Sequence, residues 1–278
     1  MALTALDSGV RPLRFDAAAS AEAAAPEAVT QTAVTHLAVR DLRKTFGRQP
    51  VLKGVSFDVG AGEAVALIGA NGSGKSTLLR CCLRLIEPDA GDVALLGEAV
   101  GPLGRPALAR LRAQVGFVFQ RHNLVPRLSA LSNVLHGVQA RRAGPRTWFQ
   151  ALARKTDREE ALHCLDLVGL ADQAAKRADT LSGGQSQRVA IARALMQRPR
   201  LVFADEPVAS LDPAAGEEVM ELFVRLMRDE GLTLLFTSHH LRHALDYADR
   251  LVALSAGRKV LDRPTAGQSL DALKAVYD

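Results

Sequence analysis

"EAVALIGANGSGKSTLLRCCLRLIEP", Glu63 to Pro88, decides how the rest of the chain is read. Residues 64–68 are a short, wholly apolar run, the pattern of a strand buried on both faces of a parallel sheet. Gly69, Ala70, Asn71, Gly72, Ser73, Gly74, Lys75 and Ser76 follow at once, with Thr77 behind them, and match the G-x-x-x-x-G-K-S phosphate loop. From Leu78 onward, Leu79, Cys82, Leu85 and Ile86 recur at helical spacing, so a helix is expected to run until Pro88 breaks it. The chemistry requires this order. Glycines let backbone N–H groups converge on phosphate oxygens, and the helix start adds partial positive charge. Lys75 can neutralise β- and γ-phosphates, and the Ser76 hydroxyl can ligate Mg²⁺. The stretch implies a nucleoside-triphosphate site.

Further along, "RLVFADEPVASLD" begins at Arg200, and its apolar run Leu201 to Ala204 ends in Asp205 and Glu206. Consecutive strand residues face opposite ways, so two adjacent carboxylates can serve two tasks. Asp205 fits the Mg²⁺ side, which leaves Glu206 to polarise an attacking water as general base.

"LSGGQSQR", residues 181–188, raises a puzzle, because it offers a second glycine-rich helix start. Ser182, Gly183 and Gly184 open a helix that turns Val189, Ala192 and Leu195 inward and stops before Pro199. Free N–H groups, a hydroxyl and the positive end of the helix dipole all suit an anion. Yet no lysine and no apolar strand accompany them. This is a half-site, and it makes sense closing over the γ-phosphate held by a second copy of the chain. A two-fold homodimer then builds two complete sites.

In chain order, Phe46, Gly69–Ser76, Gln120, Leu181–Gln185, Asp205–Glu206, Ser210–Asp212 and His239 resemble the motifs of ATP-binding-cassette (ABC) ATPases, over about residues 35–278. The resemblance implies ATP as substrate, with Phe46 stacking on adenine, where the family more often has tyrosine, and Gly69 to Thr77 cradling the phosphates. It makes Lys75, Gln120, Glu206 and His239 the catalytic set, His239 contacting the γ-phosphate. Its neighbour His240 stands where the family usually has aspartate or glutamine. Ser76, Gln120 and Asp205 would serve Mg²⁺, and Gln120 would also report to a membrane partner. Ser182, Gly183, Gly184, Gln185 and Asp212 would act across the dimer.

"FVFQRHNLVPRLSALSNVLHG" (117–137), the signature helix and "ADEPVASLDP" resemble the phosphonate-import branch of that family more finely, as does the stretch around Trp148. That likeness implies a peripheral ATPase on the cytoplasmic face of the inner membrane. It would work on a separate integral membrane permease, served by a periplasmic or lipid-anchored solute-binding protein. Phosphate, phosphite or another small solute stays open as cargo. A non-transport ABC ATPase is disfavoured, because such proteins usually pair two cassettes or insert a long coiled coil, and the gap from Gln120 to Ser182 is too short for one.

Composition agrees with a globular fold: of 278 residues, 48% are apolar and 23% charged. No window approaches the roughly 18–20 apolar residues that span a bilayer. Cys81, Cys82 and Cys164 lack metal-ligand spacing and fit buried apolar roles. The net charge of +5 comes with only 4% aromatics, while arginines concentrate between Arg105 and Arg158. That argues against nucleic acid and for a solvated face, or one near anionic lipid headgroups. Residues 1–33 are alanine-rich, without apolar periodicity or a secretory signal pattern, and are expected to be a disordered tail.

The expected fold is α/β, a P-loop NTPase of ABC-cassette type over 34–278. Strands at 64–68, 115–119, 201–205 and 232–238 should build a mostly parallel core sheet. A small antiparallel β layer should come from about 35–62 and 92–100, and a helical subdomain from 121–185. "LVALSAGRKVLD" reads as a hairpin.

Overall fold

The computed structural model describes residues 34–142, 144 and 150–277. The alanine-rich segment 1–33 and Trp148 lie outside them. Strands β1 (Thr35–Phe46), β2 (Gln49–Gly60), β4 (Ala90–Leu95) and β5 (Glu98–Ala99) form an antiparallel sheet in the order β2-β1-β4-β5. Strands β3 (Ala64–Ile68), β6 (Val115–Val118), β7 (Leu201–Ala204), β8 (Thr233–Ser238), β9 (Arg250–Ser255) and β10 (Arg258–Pro264) form the second sheet, ordered β10-β9-β3-β8-β7-β6. All its pairings are parallel except that of β10 with β9.

Strand alternation splits this sheet's side chains into two cores. Ala64, Ala66 and Ile68 join Val202, Ala204, Leu234 and Phe236 on one face. Val65 and Leu67 join Leu201, Phe203 and Leu235 on the other. The first face is covered by α3 (Ala130–Leu135), α4 (Lys155–Leu167), α5 (Gly183–Leu195), α6 (Pro213–Asp229) and α7 (Leu241–Tyr247), with Leu273 of α8 (Leu270–Tyr277). The second face packs α1 (Lys75–Cys82), α2 (Arg105–Arg112) and the inward residues of the antiparallel sheet. Being covered on both faces is why β3 and β7 are apolar runs and β8 has Leu234, Leu235 and Phe236 in succession rather than alternating; every residue in the three is buried. Each fully buried Phe or Leu there contributes about 1.5–3 kcal/mol of transfer free energy.

One expectation needs correction. Helix α1 ends at Cys82, not at Pro88. Arg84 adopts a left-handed φ of 50°, and the N–H of Leu85 bonds back to Arg80 O at 2.9 Å while that of Arg84 reaches Cys81 O at 2.8 Å. This paired closure is the Schellman stop, with arginine in the place usually held by glycine. Arg84 has a reason to be there, since its guanidinium donates to the carbonyls of Val100, Gly101 and Leu103. The expected hairpin forms from β9 and β10, and β9 also joins the parallel sheet, paired to β3 from Val65↔Arg250 to Ile68↔Ala253. The turn of that hairpin, Ala256 and Gly257, has φ of 46° and 80°, as a two-residue type I′ turn demands.

Between Gln120 and α5 the chain is held by a few polar anchors. Buried Asn133 accepts from Val125 N at 2.7 Å and donates to Val125 O and Ser129 O, closing the loop before α3. A side chain on Gly137 would meet Arg193 O at 2.5 Å, so the end of α3 lies directly against α5. Cys81, Cys82 and Cys164 are all buried, and burial raises the thiols of Cys81 and Cys164 to about 11 and about 12.

Candidate functional site

The carboxyl ends of β3, β7 and β8 converge, and the site is built from the turns that leave them. Gly69 leaves β3 at φ 155°, and a Cβ there would collide with Leu254 O at 2.4 Å and Ser73 Oγ at 2.6 Å. Only glycine lets the loop pass so close to β9. Gly74 (φ 108°) is the N-cap of α1, and the helix starts at Lys75. The hairpin turn after β9 braces the loop from behind: Gly257 N donates to Ser73 O at 3.2 Å, and Lys53 N donates to Gly257 O at 2.8 Å.

Lys75 is buried, its ammonium donating to Gly69 O at 2.7 Å and Ala70 O at 3.2 Å, and lying 3.7 Å from Glu206 Oε1. Burial pulls its pKa below the ordinary lysine value, against the upward pull of the Glu206 and Asp205 carboxylates. One turn-start later, Ser76 Oγ donates to Asp205 Oδ1 at 2.8 Å. That bond joins residues 129 apart in sequence. Phe46, Gln49, Val51, Asn71, Gly72, Gly74, Thr77, Gln120 and Glu206 line the same cleft, of about 550 Å³. Phe46 is 47% exposed at its rim, with Lys44 Nζ 5.5 Å from the ring centroid. Lys44 is in turn fixed by Asp89 at 2.8 Å.

Asp205 and Glu206 diverge as strand ends should. Asp205 is buried, and its carboxylate also accepts from Thr237 Oγ1 at 3.0 Å. Glu206 bends into a left-handed φ of 48°, a costly conformation for a side chain with a Cβ. Its N–H is held there by Thr237 Oγ1 at 2.8 Å. Thr237 therefore bridges the two carboxylate-bearing residues from the adjacent strand, a role sequence reading passed over. His239 Nδ1 stands 3.5 Å from Glu206 Oε2.

The second glycine-rich stretch opens α5 as expected, and its capping is complete. Ser182 Oγ accepts from Gln185 N at 3.2 Å, and Ser182 N donates to Gln185 Oε1 at 3.1 Å, a capping box. Gly183 and Gly184, at the first turn, have N–H groups without intrahelical acceptors. This helix start shares a cleft of about 490 Å³ with Arg188, Ser210 and Asp212. No residue lines both this cleft and the phosphate-loop cleft. Within the chain, Asp212 caps α6, accepting from Ala215 N at 3.0 Å. At the other end of α5, half-buried Arg193 donates to His122 O at 2.9 Å and Asn123 O at 2.7 Å, tying the loop after Gln120 to the signature helix. Sequence reading passes over Arg193 as well, since its acceptors lie 70 and 71 residues away.

A phosphate loop at the end of one parallel strand, bonded to a carboxylate at the end of the next but one, defines a P-loop nucleoside triphosphatase. Comparison with known proteins narrows this. The ABC transporter family matches residues 52–209. The chain is 52% identical to the phosphate-import ATP-binding protein PhnC of Mycolicibacterium smegmatis over 86% of its length and 90% of that relative. It is 52% identical to the phosphonates import ATP-binding protein PhnC of Nocardia farcinica, over 84% of this chain and 87% of that one. The dimeric ATP-binding cassette MJ0796, solved in a post-hydrolysis state with ADP and Pi, superposes with a TM-score of 0.73 at 33% identity, covering 84% of this chain and 100% of its own. The chain belongs to the ABC transporter family, as one of its ATP-hydrolysing cassettes.

Proposed function

We propose that two copies of this chain drive a membrane importer for phosphonates, hydrolysing ATP at sites shared between the copies. The observation that carries the shared site is the separation of its halves. Lys75, Ser76 and Glu206 line one cleft, while Ser182, Gly183, Gly184, Gln185 and Asp212 line another. The dimeric cassette MJ0796 supports this pairing.

In this reading Phe46 supports the adenine, and the backbone of Gly69 to Gly74 with Lys75, Ser76 and Thr77 holds the phosphates. Glu206 takes the proton of the attacking water, and His239 contacts the γ-phosphate. The donor set fits Mg²⁺: one carboxylate (Asp205), one hydroxyl (Ser76) and one amide (Gln120), since this ion prefers few protein oxygens and completes its shell with phosphates and water. Bound there, Mg²⁺ neutralises charge developing on the phosphates.

No helix among the described residues is long and apolar enough to cross a membrane. A separate permease then carries the solute, with the helical segment 121–185 and Gln120 facing it from the cytoplasmic side. A solute-binding protein outside the membrane selects the cargo. The relatives from Nocardia farcinica and Oceanobacillus iheyensis, named for phosphonate import, support that cargo. Phosphate is the second reading, favoured by the Mycolicibacterium smegmatis relative named for phosphate import. A Lys75→Ala strain without a second copy should lose growth on a phosphonate as sole phosphorus source and keep growth on abundant phosphate. Intact phosphonate uptake would refute the first reading, and simultaneous loss of high-affinity phosphate uptake would establish the second.

A further inference from the structure

A row of rings leads away from Glu206. His239, whose Nδ1 is 3.5 Å from Glu206 Oε2, packs on His240 with ring centroids 4.1 Å apart and planes 41° apart. His240 packs on His243 at 5.1 Å, and His243 on Tyr247 at 6.0 Å. The far end is fixed to helix α6. Glu217 accepts from His243 Nε2 at 3.0 Å and from the Tyr247 hydroxyl at 3.0 Å. Burial opposes the Glu217 carboxylate, but these hydrogen bonds outweigh it and keep its pKa below the usual value.

The gradient along the row matters. The His243 side chain is 11% exposed, whereas that of His239 is 35% exposed. Ser238 Oγ accepts from His240 N at 2.9 Å and donates to His240 O at 3.1 Å, so it sets the backbone here and leaves the rings to one another. The three histidines line a small pocket with Val208, Met220 and Phe236, so the row lies against apolar walls.

We infer that His240 and His243 are positioning residues, which hold the His239 imidazole beside Glu206 and the phosphate cleft by ring packing anchored on Glu217. The inference rests on the proposed reading that His239 acts on ATP. The groups facing the row are Glu206 after β7, Glu217 and Glu221 on α6, and Asp246 and Tyr247 on α7; Arg242 on α7 is exposed.

The test is steady-state ATP hydrolysis by the purified full chain, with kcat and KM read separately. His240 is exposed, so its replacement leaves the core intact. His240→Ala should lower kcat about threefold to tenfold with KM unchanged, the size expected for one lost ring pair. His240→Phe, which keeps a ring in the row, should restore kcat. Wild-type kcat in His240→Ala, with His239→Ala inactive, would overturn the inference and leave the reading of His239 standing. Full activity in His239→Ala would remove the premise and the inference together.

Discussion

Thr237→Val replaces the buried hydroxyl that joins Asp205 to Glu206 by a methyl of nearly the same shape. Two interactions go. Losing a hydroxyl bond to a carboxylate costs about 1.5–3 kcal/mol, and leaving the Glu206 N–H without an acceptor costs about 1–3 kcal/mol. Asp205 keeps its bond from Ser76, so the lower ends apply, and the sum is about 2.5–3 kcal/mol. With a urea slope of about 3 kcal/mol per molar, the unfolding midpoint should fall by about 1 M. Hydrolysis should fall further than stability alone explains. The Glu206 backbone at φ 48° is released from its clamp, and a displacement of about 1 Å at a general base can cost about 100-fold. Thr237→Ser is the control, since it keeps the hydroxyl and gives up one methyl, worth about 1 kcal/mol. Equilibrium urea unfolding of both variants, with ATPase rates at saturating ATP, makes the comparison. If the valine variant matches the serine variant in midpoint and in rate, Thr237 does not organise the carboxylates and the reasoning fails.

Further outcomes follow from the same geometry. Glu206→Gln should bind ATP with unchanged affinity while turnover drops by at least about 100-fold, read by nucleotide binding beside phosphate release. Ser182→Ala removes the capping box and should cost about 1 kcal/mol of stability; Ser182→Arg should in addition abolish ATP-dependent dimerisation while each chain still binds ATP, as scattering would report. Gly69→Ala drives a Cβ to within 2.4 Å of Leu254 O and should abolish nucleotide binding even if the chain folds. All three cysteines should resist a thiol reagent at pH 8 in the native chain and react once it is denatured, because they are buried and burial raises their pKa values.

Where sequence reading succeeded, the reason was local. The wholly apolar runs of β3 and β7 read as strands buried on both faces, and Gly69 of the phosphate loop is required by a contact as close as 2.4 Å. Where it fell short, the deciding interaction lay far along the chain. Helix α1 stops at Cys82 because Arg84 has carbonyls to reach at residues 100, 101 and 103, which no helical periodicity announces. Thr237 reads as another β-branched strand residue, and its hydroxyl matters through Asp205 and Glu206, 32 and 31 positions away. Asp212 was read through the resemblance as a cross-dimer signal; within the chain it is also an N-cap, and the following Pro213 at the first helical position was the clue. The ring row from His239 to Tyr247 needed the turn between β8 and α7 to be seen in three dimensions.

The order of strands in the parallel sheet also sets a timetable for the nascent chain. Strand β3 lies between β8 and β9, and both of its neighbours are made long after it. Ala64 N bonds to the carboxylate of Asp249, 185 residues later, and Ser76 waits 129 residues for Asp205. At about 5–20 residues per second, that second interval alone is about 6 to 26 s on the ribosome. Through that time an apolar strand has both edges open and the phosphate loop has no carboxylate opposite it. The amino-terminal half of the cassette lacks the partners that complete it, and synthesis of Asp205 and of the strands beside β3, not emergence of the phosphate loop, is the step that makes the site.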